Sequence, residues 1–195
     1  MRKRQFLSTV VGLAAGSLIA PAKAAVAPVT AGQTILTLLG DIHRSNRGPV
    51  NVVKDQYLHK LGLHFERGFT FSLDELEQLP QVAIRPTVEY DDQVHTFSGP
   101  RLADVLAVAE IHKTPTTRII LHGIDGYAPE MAYSQSVLHN YILATRMDNE
   151  LLSIGGLGPL FAIYDADRMA EMAQLPLAQR FQKCPWGLFC IEVLN

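Results

Sequence analysis

The sequence predicts a strand-rich α+β domain that spans residues 35–195. Short stretches of β-branched or alternating apolar residues recur along the chain, and the helical patterns between them are few and short. The apolar fraction of 48% and the charged fraction of 18% are ordinary for a globular protein, and 195 residues suit one hydrophobic core. Many short strands with few helices favour a mixed sheet in a single domain.

The first 24 residues have the pattern of an export signal. Residues 2–4 are basic, residues 6–20 are apolar and uncharged, and Ala22-Lys23-Ala24 satisfies the small-x-small rule for cleavage. We therefore predict a signal peptide at residues 1–24 that is cleaved before Ala25. The mature protein would be periplasmic, with a flexible leader at residues 25–34.

Removal of the signal changes the charge of the chain. Segment 1–24 contains four basic residues and no acid, so cleavage takes the formal net charge from −2 to −6. An acidic chain lacks the basic footprint of nucleic-acid-binding proteins, and we expect no nucleic-acid partner. Lys3-Arg4 resembles a twin-arginine pair, which directs the export of folded proteins, and ordinary Sec export is the alternative.

The first half of the domain is expected to contain strands and three short helices. Extended stretches are predicted at residues 34–42, 69–71, 82–90 and 93–97. Ser72 and Glu75 form a capping box, which predicts a short helix that ends before Pro80. Two further helices are predicted near residues 52–61 and at residues 101–111. Ser98-Gly99-Pro100 is expected to turn the chain.

The second half reads mainly as strands. They are predicted at residues 118–121, 127–133, 141–146, 160–164 and 186–193. Asp148-Asn149 suits a tight turn, and a last short helix is expected between residues 167 and 181. The glycine-rich stretch 155–158 resembles a phosphate loop, but Pro159 and an apolar strand follow it, so a flexible turn is favoured.

Cys184 and Cys190 permit two interpretations. If residues 184–190 form one strand, six steps of about 3.3 Å put the two Cα atoms about 20 Å apart. A disulfide requires a separation below about 7 Å, which only a bend at Pro185 or Gly187 would allow. Separate thiols are therefore favoured, and a disulfide is the alternative. The C-x5-C spacing alone does not indicate zinc.

No set of residues carries a recognisable catalytic pattern. The chain has seven histidines, and the His59 and His64 pair is five residues apart rather than the four of a helical metal pair. Acidic residues cluster at positions 74–77 and 89–92, where a solvated surface is the ordinary explanation. The sequence has no Gly-x-Ser-x-Gly elbow, no His-Glu-x-x-His and no Walker loop. We predict no metal ligands from these patterns.

A set of motifs in a fixed order resembles the sulfite-oxidase-type molybdopterin-binding domain. The motifs lie between residues 69 and 193 and are Phe97-Ser98-Gly99-Pro100-Arg101-Leu102-Ala103-Asp104-Val105-Leu106, Gly126-Tyr127, Ile142-Leu143-Ala144, Gly158-Pro159-Leu160-Phe161-Ala162-Ile163-Tyr164, and Trp186-Gly187-Leu188 with Ile191-Glu192-Val193. The chain is most similar to small exported bacterial proteins described as molybdopterin-dependent oxidoreductases. The resemblance implies a mixed, barrel-like α+β domain of that fold.

The resemblance also implies a place for molybdenum, and the sequence departs from the family there. Family enzymes transfer oxygen atoms at a molybdenum held by the pterin dithiolene and by one cysteine on the strand before the Phe-x-Gly-x-x-Leu motif. The corresponding strand here, residues 82–90, has no cysteine, and the ligand position falls near Thr87. A threonine hydroxyl is a hard donor rather than a soft thiolate. Basic residues that contact the pterin phosphate are replaced by Phe161 and Pro185.

The chain resembles the family but lacks the cysteine that would ligate molybdenum, so we predict a degenerate cofactor site. The candidate pocket, where the pterin would lie, is formed by Thr87, Glu89, Tyr90, Tyr127 and Ser153. The predicted function is a ligand-binding, sensing or partner module. Its expected partners are a small molecule or pterin and a membrane-bound redox or signalling protein.

Two alternatives remain open at this point. Molybdopterin is a candidate ligand, and molybdenum is not expected, but an active periplasmic molybdopterin-dependent oxidoreductase is the alternative. Molybdenum would then be bound without a protein thiolate, or with Cys184 or Cys190 brought to the metal by the fold. A third interpretation is a structural or interaction protein with a filled apolar interior.

Overall fold

A computed structural model describes residues 32–195 of the chain. The predicted export signal at residues 1–24 and its cleavage site before Ala25 lie outside the described residues. The leader predicted at residues 25–34 is described only from Gly32, and its last residue, Thr34, already begins the first strand.

A five-stranded sheet organises the described part of the chain. Its strands are β1 (Thr34–Gly40), β2 (Phe69–Ser72), β5 (Arg118–Gly123), β6 (Glu130–Ala132) and β11 (Leu188–Leu194). They lie in the order β2-β1-β11-β5-β6, in which β1 and β11 are parallel and all other neighbours are antiparallel. Leu36, Leu38 and Ile191 join the main core, while Leu39 and Cys190 join a smaller cluster with Leu58 and Leu63.

A second sheet and a short ribbon pack into the same core. The sheet contains β3 (Gln81–Ile84), β4 (Phe97–Pro100), β8 (Arg146–Met147) and β9 (Glu150–Leu151), in the order β3-β4-β8-β9. The ribbon pairs β7 (Ile142–Ala144) with β10 (Phe161–Ile163), and every residue of both strands is buried. The mixed, strand-rich α+β class is therefore confirmed. These sheets do not close into a barrel within residues 32–195.

The helices are short and lie between the strands. They are α1 (Gln56–Lys60), α2 (Leu73–Glu77), α3 (Leu102–Val108), α4 (Tyr133–Leu138), α5 (Ala170–Ala173), α6 (Leu177–Arg180) and a 3-10 helix (Ala166–Arg168). The predicted capping box begins α2, because Ser72 accepts a hydrogen bond from the Glu75 amide and the Glu75 carboxylate accepts one from the Ser72 amide. None of the helices within residues 32–195 is long and apolar enough to cross a membrane.

The prediction of a strand at residues 82–90 is wrong for most of that stretch. β3 ends at Ile84, since Pro86 has no N–H for a ladder and the chain then turns. A single bridge joins Thr87 to Val94 across this turn. The strand predicted at residues 93–97 accordingly begins only at its last residue.

Other boundaries also differ from the sequence-based expectations. The stretch 127–133 was expected to be one strand, but only β6 is extended there and α4 follows it without a break. The Asp148-Asn149 turn is confirmed between β8 and β9, and both residues have positive φ angles, of 50° and 70°. Such angles suit the two-residue hairpin turns that follow the natural twist of the strands.

Ser98-Gly99-Pro100 forms part of β4 rather than the expected turn. A methyl group added at Gly99 would lie 2.0 Å from the Leu143 carbonyl oxygen, because β7 crosses β4 at this point. The Thr145 amide also donates to the Ser98 carbonyl, at 2.9 Å. The glycine is therefore needed for a close approach of two backbones and not for a bend.

We expect Gly99→Ala to lower the free energy of unfolding by about 2 kcal/mol or more, because β7 would have to move away from β4. Urea denaturation measures the change. Gly48→Ala is the matched control, since nothing lies within 4 Å of a methyl group at Gly48, and it should shift stability by less than about 0.5 kcal/mol. Equal stability of the two variants would contradict the close approach.

Candidate functional site

A groove lies alongside β3, the edge strand of the second sheet. It consists of two adjoining depressions of about 530 Å³ and about 420 Å³, which share Ala83, Ile84, Asp165 and Arg168. We call this feature the β3 groove. Its remaining lining residues are Val82, Arg85, Val94, Thr96, Arg101, Leu138, His139, Asn140, Asp167 and Met169. The groove is thus bounded by β3 on one side and by the 3-10 helix region on the other.

Thr87 is tied to the edge of this groove by a carboxylate. Its amide and its hydroxyl both donate to Oδ2 of Asp167, at 2.7 Å and 2.8 Å. Oδ1 of Asp167 accepts from Nη1 of Arg180, at 2.8 Å. The position that the resemblance assigns to the metal ligand is therefore occupied by a hydrogen-bonded hydroxyl.

Asp165 has a buried acceptor next to the groove. Its Oδ1 is buried and has no hydrogen-bond partner among residues 32–195. Its Oδ2 has only two long contacts, 3.5 Å each, to the Arg85 amide and to Nε of Arg168. A buried carboxylate oxygen without a donor costs free energy, and this oxygen has no surface open to the groove.

The charges of the groove leave a positive excess. Asp167 is paired with Arg180 and Asp165 with Arg168. Arg85 and Arg101 also line the groove, and within the described part of the chain neither of them forms an ion pair. Two exposed guanidinium groups without an ion pair favour an anionic ligand, and a carboxylate charge that acts on Arg85 is that of Asp148.

A layer of tyrosines fixes the segment that precedes Cys184. The hydroxyls of Tyr127, Tyr141 and Tyr164 each donate to a backbone carbonyl within residues 180–183. The Tyr141 and Tyr164 rings contact each other with centroids 4.9 Å apart. Burial raises the pKa of both phenols above the ordinary tyrosine value, so they remain protonated donors.

Burial favours the protonated thiol at both cysteines. Cys184 is 5% exposed, its Sγ contacts the Tyr141 hydroxyl at 3.7 Å, and burial raises the pKa of its thiol far above the usual value. Cys190 lies in the separate cluster with Leu39, and burial raises the pKa of its thiol to about 12. Both cysteines are free, so the separate thiols are confirmed and the alternative disulfide is wrong.

This donor set does not fit a molybdenum centre. The only side chain at the expected ligand position is Thr87, whose hydroxyl is bound to Asp167. Phe161, at a position where the family often has a basic residue, is 1% exposed and packs edge-on against Phe97 at 5.6 Å. Within residues 32–195 no three His, Cys, Asp or Glu side chains are grouped as a metal site requires.

The residues of the predicted pocket lie at the edge of the β3 groove, near Cys184 and beside the β8–β9 hairpin. Thr87 reaches the β3 groove through Asp167. Glu89 and Tyr90 lie on the following turn, near Cys184. Burial, and after it the neighbouring Glu89 and Cys184, raise the pKa of Tyr90 to about 12.

Tyr127 binds the carbonyl of Gln182, in the segment next to Cys184 and so on the same side as Glu89 and Tyr90. Ser153 is exposed in a separate depression of about 410 Å³ beside the β8–β9 hairpin. Sequence analysis missed Arg85, Arg101 and Asp165. Pro86 was the one local sign that β3 is an edge strand, and no local signal brings residues 165–168 to it.

A histidine clasp holds one wall of the groove. His95 contacts Asp148 through Nδ1 at 2.6 Å and Asp91 through Nε2 at 2.9 Å, and Asp148 also accepts from the Thr96 amide at 2.9 Å. The clasp joins the turn after β3 to the β8–β9 hairpin, next to the groove residues Val94 and Thr96. Hydrogen bonds to Asp148 and then Asp91 raise the pKa of His95, and His95 lowers the pKa of both carboxyls.

Comparison with known proteins does not assign a family to this chain. No protein-family model matches it, and no curated protein is significantly similar to it.

The clasp predicts a pH-dependent contribution to stability. His95 has a pKa above 6.5 in the folded state, so its contribution is complete below pH 6.5 and is lost as the pH rises through the folded value. The two carboxyls have pKa values below 3.8, so their contribution is present above pH 3.8 and is lost on acidification. His95→Gln should therefore destabilise the protein more at pH 5.5 than at pH 9.

Urea denaturation of the wild type and His95→Gln at the two pH values tests this prediction. His59→Gln, at an exposed histidine of α1, is the control and should show the same small effect at both. An equal loss of stability at pH 5.5 and pH 9 in His95→Gln would mean that the clasp is not charged.

The buried thiols should be inert in the folded protein. With a pKa of about 12, Cys190 is on the order of one part in ten thousand thiolate at pH 8. We expect almost no reaction with iodoacetamide under native conditions and reaction of both cysteines in urea, counted by mass spectrometry. Rapid labelling of the native protein would contradict the environments described for Cys184 and Cys190. A mass lower by two hydrogen atoms in the absence of reductant would indicate a disulfide and would contradict them as well.

Proposed function

We propose that this chain is an exported domain of the sulfite-oxidase molybdopterin type with a degenerate metal site, and that it acts by binding rather than by oxygen-atom transfer. The observation that carries the proposal is the contact between Thr87 and Asp167. It places a hydrogen-bonded hydroxyl where the resemblance requires a thiolate. The ligand-binding surface in this proposal is the β3 groove.

The packing of the motif segments supports the proposed fold type. Phe97 of the first motif packs on Phe161 of the fourth, and the Leu188 amide donates to the Leu160 carbonyl at 2.8 Å. A backbone bridge joins Arg101 to Ile142. The stretches that carry the resemblance are thus neighbours in one interior, as expected if they act together as a family pattern.

The electrostatics of the groove support binding of an anion. Arg85 and Arg101 supply unpaired positive charge in a chain that is acidic overall, so the groove is a local exception to the charge of the protein. An anionic ligand would supply the counter-charge that these two arginines lack.

The proposal includes a partner in the same compartment. The export pattern at residues 1–24 supports a location outside the cytoplasm. A binding domain there would report its ligand through contact with another protein, and a membrane-bound redox or signalling protein is the proposed class. On this account the domain contributes recognition, and any redox chemistry belongs to the partner.

The metal and pterin content of the protein tests the proposal. We expect protein purified unheated from its own host to contain molybdenum far below one atom per chain, measured by mass spectrometry of the metal and by fluorescence of released pterin. A molybdenum enzyme from the same fraction is the positive control for both assays. Near-stoichiometric molybdenum and pterin would contradict the proposal, whereas pterin without metal would narrow it to a cofactor-binding module.

A further inference from the structure

We infer that the occupant of the β3 groove is an extended acidic segment of a partner protein, which adds to the free edge of β3 as a fifth strand of that sheet. This inference rests on the proposed binding function and names the class of partner. Three features of the described residues carry it: the free edge of β3, the two arginines beside it that form no ion pair, and the short length of the edge.

The backbone of β3 is paired on one side only. Its four residues pair with β4, from Gln81 opposite Pro100 to Ile84 opposite Phe97. No other backbone hydrogen bond within residues 32–195 involves Gln81, Val82, Ala83 or Ile84. An edge strand leaves every second N–H and C=O unpaired, and an incoming extended chain can bond to them.

Within the described residues, the edge at β2 is covered by a side chain and the edge at β3 is not. At β2, the side-chain amide of Asn46 donates to the Thr70 carbonyl at 2.9 Å and accepts from the Thr70 amide at 2.7 Å. Asn46 therefore substitutes for a neighbouring strand there. Alongside β3 the corresponding space is the groove itself, which contains no such side-chain substitute among its lining residues.

The charge of the occupant follows from the arginines. Arg85 lies immediately after β3, and Arg101 lines the second depression of the groove. Both lack a carboxylate partner in the described part of the chain. Acidic side chains on the segment would supply these partners, which makes glutamate- or aspartate-containing segments the fitting class.

The length of the contact is limited by prolines at both ends. Pro80 precedes β3 and Pro86 follows it closely, and neither has an N–H to offer. Four residues of strand correspond to about 13 Å. A segment of about four to six residues in extended conformation therefore fits this edge.

The test uses the purified protein and a fluorescein-labelled hexapeptide of alternating glutamate and valine. We expect saturable binding by fluorescence anisotropy below 1 mM peptide, and no binding of the matching lysine–valine peptide. Arg101→Glu should weaken binding about tenfold or more, since an attraction becomes a repulsion. Arg85→Glu is a second variant of the same kind, and Lys60→Glu on α1 is the control that should leave binding within twofold.

N-methylated peptides separate strand addition from simple charge attraction. Methylation of the three glutamate amides or of the three valine amides leaves every charge in place and removes alternate N–H donors. Strand addition predicts that one of these two patterns abolishes binding and the other is tolerated. Equal affinity of both methylated peptides and the parent would overturn the inference, as would absence of binding below 1 mM.

Binding of pyrophosphate in the absence of peptide tests whether the groove takes a small anion instead of a peptide segment. If pyrophosphate binds and the peptide does not, the occupant is a small anion and the strand-addition inference fails while the proposed binding function stands. If the protein instead carries stoichiometric molybdenum and pterin, the proposed function itself fails. The two failures are therefore distinguishable.

Discussion

The hydrogen bonds of Thr87 to Asp167, a carboxylate that Arg180 also binds, are the constraint on which the functional interpretation depends. They hold the 3-10 helix against the end of β3 and so build one wall of the β3 groove. The same hydrogen bonds use both donors of Thr87 on a carboxylate. Hydrogen bonds to a charged acceptor are among the stronger ones, though Asp167 is partly exposed and the contribution is reduced by solvent.

Several other features of the domain agree with a rigid recognition surface. Three tyrosine hydroxyls fix residues 180–183, and the His95 clasp fixes the opposite wall of the groove. Cys184 and Cys190 lie in apolar surroundings that keep their thiols protonated, and a protonated thiol is a poor nucleophile. What remains open to solvent is a free strand edge with unpaired arginines beside it.

The sequence predicted the fold class and most elements because local signals were strong. The capping box at Ser72, the helical spacing from Leu102 and the Asp148-Asn149 turn each depend on neighbours along the chain. The groove could not be predicted, because Arg85 and Asp165 are distant in sequence and meet only through sheet packing. The role of Gly99 could not be predicted either. In a sequence, a glycine required for close approach of two backbones cannot be distinguished from a glycine required for a turn.

Anomalous diffraction at the molybdenum absorption edge, from crystals of protein purified from its own host, tests the central claim most directly. The account predicts no anomalous peak within bonding distance of Thr87 Oγ1 or Cys184 Sγ, with the Thr87 hydroxyl on Asp167. A strong peak bonded to either atom would contradict it. The domain would then be a molybdenum enzyme with an unusual protein ligand, and the β3 groove would not be its functional centre.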